Sequence, residues 1–168
     1  MVLERVRTPG DAGEREQLTG WLDLQRAVAL WKAEGLSDAD AHRALIPSSP
    51  LMTVAGIISH LRWTEHLWFR VMFLGEPADS PPFTAEDGDM RVEGVPLAEL
   101  VEAYVRQCAD SDAIIAAHDL DQPGRHPDFE KARSTLRWML HHMVEETARH
   151  AGHLDLIREL LDGRTGYY

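Results

Sequence analysis

The sequence predicts an all-α protein, a four-helix bundle with long loops between its helices. Three observations carry that reading. Four long segments repeat apolar residues at helical spacing, strand-like alternation is missing throughout, and breaker stretches such as IPSSP and GEP separate the segments. The 168 residues suffice for one compact domain with a sizeable core, so residues 1–168 are expected to form a single unit.

The first long helix is expected over residues 13–35, where Leu18, Leu22, Gln25, Ala29 and Lys32 recur among other apolar positions and Gly35 supplies a stop. LSDADAHRAL adds a short helix with Ser37 as its N-cap and Asp40 three residues on. The second long helix is expected over residues 51–74. Residues 76–96, rich in proline, glycine and acids, read as an irregular loop. The third helix is expected over residues 97–118. After a further loop, Ser134 serves as N-cap of a fourth helix over residues 135–162, which Gly163 terminates.

Composition excludes several classes of partner. The net charge of -11 disfavours nucleic acid and anionic membrane, both polyanions. The N-terminal stretch lacks the apolar core of a signal peptide, and no apolar run reaches the length of a membrane span. The single cysteine, Cys108, cannot form an internal disulfide and sits in a helical pattern, which reads as a packed residue. A cytoplasmic protein is expected.

The chemistry concentrates in HHMVEETARHAGH, residues 141–153, which holds four of the nine histidines. On a helical wheel Glu146 and His150 fall about 40° and 80° from His142, inside the arc of Met139, Met143, Leu154 and Ile157. His142 and His153 sit at the edge of that arc, and His141 and Glu145 lie outside it. In the second helix His60 shares a stripe with Ile57, Thr64, Leu67 and Val71, whereas His66 lies on the far side with Arg62 and Arg70 and reads as a surface residue.

A buried carboxylate needs a partner, a hydrogen bond or a metal. The i, i+4 spacing of Glu146 and His150 stacks them on one face. With His60 they could converge inside a bundle as three N/O ligands, leaving a position open, a layout that zinc, nickel, iron or manganese accepts. Buried His–Glu hydrogen bonds with no metal are the other reading of the same pattern. Around this set, Trp63 sits at the edge of the His60 stripe and could line a pocket. Trp21, Trp31, Trp68 and Trp138 read as core or interface packing. Arg137 and Arg149 read as surface ion pairs, and the acids of AEDGDMRVEG as a solvated loop that could cover the site mouth. The terminal RTGYY could pack on the bundle or on a second subunit, and the apolar helix faces are compatible with a homodimer.

The stretches LTGWLDLQRAVALWKAEGLSD, ISHLRWTEHLWFRVMFLGE and LRWMLHHMVEETARHAGHLDLIRELLDGRTG resemble the DinB-like superfamily, which includes mycothiol-dependent maleylpyruvate isomerases and bacillithiol transferases. The resemblance runs from Leu18 to Gly166. It implies an up-down-down-up bundle with a divalent metal, zinc first among the choices, held by His60, Glu146 and His150. It leaves His153, and at the edge His142, as supporting groups or an extra ligand. It also implies a small thiol such as mycothiol and an electrophilic substrate, joined by S-transfer in a detoxification role. The chain ends at Tyr168 without the second domain of the isomerases, which points away from isomerase activity. A metal-dependent hydrolase and a non-catalytic metal-binding stress module are the alternatives.

Overall fold

The computed structural model describes residues 4–79, 81–127 and 133–166. The described residues are helical, with one isolated bridge between Pro123 and Thr135 and no strand. The all-α prediction holds. Helix α1 spans Glu14–Ala33, α2 Asp38–Ala41, α3 Val54–Glu65, α4 Pro81–Thr84, α5 Leu97–Ala116 and α6 Leu136–Asp162. Helix α3 runs directly into a π-helical segment, His66–Phe73. Four long helices form the bundle, α1 packing chiefly on α6 and α3 chiefly on α5.

The ends of the elements follow from local chemistry. Ser37 accepts a hydrogen bond from the Asp40 amide at 3.1 Å, as its capping position requires. Helix α3 starts three residues later than expected, because Thr53 caps it by accepting from the Gly56 amide at 2.9 Å. Helix α6 is capped by Thr135 rather than Ser134. The Thr135 hydroxyl accepts from the Trp138 amide, while the Ser134 carbonyl is taken by Gly124. Gly163 ends α6 in the left-handed region at φ 71°, a conformation a side chain resists.

Two large apolar cores lie along the bundle, with a small third cluster of Leu24, Val28 and Ala151. One gathers Ile57, Ile58, Leu61, Tyr104, Leu154 and Ile157. The other gathers Leu22, Phe69, Phe73, Leu136, Met139 and Met143. Helices α1, α3 and α6 each pass from one core to the other through polar residues. On α3 these are His60, Thr64 and Glu65, on α1 Arg26, and on α6 Glu146 and His150. The bundle therefore carries a polar layer between its two cores.

The tryptophans differ in how deeply they pack. Trp68 is buried, but Trp21 and Trp138 are exposed, and Trp31 is half-buried beneath the cations of Arg5, Lys32 and Arg164. The acid-rich segment after α3 is not wholly irregular, since it contains α4. Of the terminal RTGYY, Gly166 packs back on the bundle, its carbonyl accepting from Lys32 Nζ at 2.5 Å; Tyr167 and Tyr168 lie outside the described residues. No described helix is long and apolar enough to cross a membrane.

Candidate metal centre

Helix α3 supplies His60 and helix α6 supplies Glu146 and His150, one turn apart. The structure brings these three together, one donor atom from each lying within 4.8 Å of the others. Glu146 Oε1 is the hub. It accepts from His60 Nε2 at 3.1 Å and from His150 Nε2 at 3.2 Å. The two imidazole rings stand 4.6 Å apart between centroids. All three side chains are mostly buried, at 12–20% exposure.

The donor set fits a small divalent cation. Two imidazole nitrogens and a carboxylate oxygen suit zinc and its first-row neighbours. Bond lengths near 2.0–2.1 Å place tetrahedral ligands roughly 3.3 Å apart, close to the two contacts that Glu146 makes. Imidazole nitrogens must give up their protons to ligate a cation, so binding one there would release protons.

Asp89 is the residue that sequence reasoning missed. Its Oδ2 accepts from His60 Nδ1 at 2.6 Å. A carboxylate on the far nitrogen fixes the ring and directs Nε2 at the cluster. Burial works against a charge on His60, but Asp89 and Glu146 on its two nitrogens outweigh this and raise its pKa to about 9. The hydrogen bonds from His150 and His60 hold the Glu146 carboxyl well below the usual carboxylate range, against the effect of burial.

The seating of Asp89 depends on a glycine. A Cβ on Gly56, one turn before His60, would lie 2.3 Å from the Leu51 carbonyl oxygen and 3.3 Å from that of Met90. The bare position lets both loops close on α3, bringing Asp89 to His60. No pattern in the acidic run marks Asp89 apart from its neighbours, so only the fold identifies it.

The remaining histidines separate by position. His153 Nδ1 lies 3.4 Å from His150 Nδ1, on the side of that ring away from Glu146. His142 stacks on Trp138 and meets Trp68 edge-on at 4.7 Å, in the wall of a cleft beside Glu146. His141 is exposed and bonded to the Arg137 carbonyl. His66 is half-buried rather than a surface residue, because Phe83 from α4 folds over it and Trp63. Arg137 pairs with Glu14 and Asp121. Arg149 pairs with Glu145 and also stands 3.6 Å from Glu146 Oε2.

Cys108 is buried, and burial followed by the nearby Glu65 carboxylate pushes its thiol well above the ordinary range. It is a packed residue and a poor nucleophile. Two clefts border the cluster. One, of about 320 Å³, is lined by His60 and Glu146 and includes Trp63 and Asp89. The other, of about 540 Å³, is lined by His150, residues 48–52, Asp87, Met90 and Arg91.

Residues 17–163 match the family described as MST, Mycothiol-S-transferase. No curated protein and no solved structure matches the chain.

Proposed function

Because the chain belongs to the mycothiol S-transferase family, we propose that it joins a small thiol, mycothiol, to electrophilic compounds with the help of a divalent cation held by His60, Glu146 and His150. The family implies the thiol. The observation that supports the cation is the convergence of two imidazoles and a carboxylate on one point bordered by two clefts.

A cation at that point would favour the thiolate over the thiol and so supply the nucleophile. The side chains set up the rest. Asp89 orients His60 from behind, and His153 stands at the outer nitrogen of His150. In the transfer the thiol gives its proton to water, a sulfur–carbon bond forms as the carbon–leaving-group bond breaks, and the leaving group departs as an anion with that bond's electron pair. Cys108 takes no part, being buried away from both clefts. Zinc is the first choice of metal on donor type, with nickel, iron and manganese accepted by the same set. A detoxifying role in a reducing cytoplasm agrees with an enzyme that consumes free thiol.

The test is conjugate formation. Zinc-loaded protein, mycothiol and a panel of aryl and alkyl halides are incubated, and the S-conjugate is measured by mass spectrometry. Conjugate that requires both metal and protein is expected. No conjugate across the panel would refute the transfer, and loss of electrophile without any thiol would indicate hydrolysis instead.

A further inference from the structure

The two clefts meet the cluster from different sides and differ in chemistry. The smaller is walled by Trp63, Trp68, Phe83 and His142. These rings hold one another, Trp63 against Phe83 at 5.7 Å and Trp68 against His142 at 4.7 Å, so the wall is formed before anything binds. The polar groups nearest the cluster already bond one another. His60 is bound by Asp89 and Glu146, Glu146 by both imidazoles, and Thr64 Oγ1 lies 3.4 Å from His60 Nε2. The larger cleft offers the hydroxyls of Ser48 and Ser49, the Asp87 carboxylate and the Arg91 guanidinium over a floor of Leu51 and Met90. Among the described residues neither serine hydroxyl nor the Asp87 carboxylate is committed to a protein hydrogen bond.

We propose that the clefts divide the two substrates. The aromatic cleft takes a flat aromatic electrophile, and the larger cleft takes the hydroxyl-rich body of the thiol. This assignment rests on the thiol-transfer reading above. A bimolecular transfer needs both partners delivered to one point, and the cluster borders one cleft through His60 and Glu146 and the other through His150. A hydroxyl-rich ligand in the aromatic cleft would lose water from its hydroxyls against ring faces and find few partners in exchange, because His60 and the carboxylates are taken up with one another. A flat ring there loses little and gains stacking on preformed walls. In the larger cleft the serines, Asp87 and Arg91 replace the water that a sugar-bearing thiol gives up.

Two unreactive probes separate the clefts by calorimetry on zinc-loaded protein. They are 1,3-dinitrobenzene, which lacks a leaving group, and S-methyl mycothiol, which lacks a free thiol. Trp63→Ala is expected to weaken dinitrobenzene about tenfold, the loss of one aromatic contact, and to leave S-methyl mycothiol unchanged. Phe83→Ala, on the loop side of the same wall, should act in the same direction if Trp63→Ala fails to fold. The double variant Ser48→Ala, Ser49→Ala should weaken S-methyl mycothiol alone. A swapped pattern, equal weakening of both probes by each folded variant, or no binding of either probe to wild type would overturn the assignment. Intact, separate binding of both probes with no product from mycothiol and 1-chloro-2,4-dinitrobenzene would fall on the thiol-transfer reading and leave the two clefts standing.

Discussion

Two polar clusters occupy the same layer of the bundle, and they are built on opposite plans. On one side Arg26 and Glu65 are both 0% exposed. Arg26 Nε and Nη2 grip the two Glu65 oxygens at 2.8 and 2.7 Å, and Nη1 reaches Asp112 and Asp23. Cys108 adds a sulfur contact to Glu65 at 3.6 Å. Both charges are compensated, and neither side chain reaches the surface. On the other side His60, Glu146 and His150 crowd their donor atoms onto one oxygen beside two clefts. The closed cluster lines neither of these clefts, whereas the open one presents two imidazoles and a carboxylate to them. Burial of polar groups alone does not mark a functional site; convergence beside open space does.

Breaking the closed cluster should have the largest effect. Arg26→Met strands a buried carboxylate, and a loss of about 3–5 kcal/mol in urea-unfolding stability is expected. Glu146→Gln should do the reverse. Stability without metal should fall by less than in Arg26→Met, because the amide oxygen still accepts from both imidazoles and only the charge is lost, while zinc affinity, measured by chelator competition, should fall by more than the roughly 100-fold upper end seen for supporting groups. Equal losses of stability in the two variants would erase the distinction between the clusters.

Asp89→Asn sharpens the comparison at a finer level. The amide oxygen can still accept from His60 Nδ1 but carries no charge, so zinc affinity should drop about 10- to 100-fold with the fold intact. Asp89→Ala should lose more and alter the absorption spectrum of the cobalt-loaded protein, because the ring is no longer held. Smallest of all is Glu145→Gln, next in sequence to Glu146 but half-exposed and paired only on the surface with Arg149 and His142. It should shift stability by less than about 1 kcal/mol and leave zinc affinity unchanged.

The same contrast explains what could be read from the sequence. Apolar spacing marks the four long helices because each turns a continuous face to a core. The polar interruptions at His60, Glu146 and His150 stand out against that face, so all three are legible as candidates. Asp89 is not, because a loop has no period and its acids resemble one another until Gly56 is seen to admit the chain. Arg26 is hidden for another reason. Cationic residues on an amphipathic helix ordinarily face water, and its partner Glu65 lies 39 residues away in the chain. His66 misleads because the α4 segment that covers it has no helical signal of its own, and Thr135 displaces Ser134 as cap because neighbouring hydroxyl residues compete for one role.

The metal content of untagged protein, wild type and His150→Ala, bears most directly on the open cluster. A metal centre at His60, Glu146 and His150 predicts about one equivalent of divalent metal in the wild type by elemental analysis. It also predicts loss of that metal in a variant that remains folded by circular dichroism. A folded wild type that stays metal-free after incubation with zinc, nickel or manganese would contradict it and leave the three side chains as a buried hydrogen-bonded cluster.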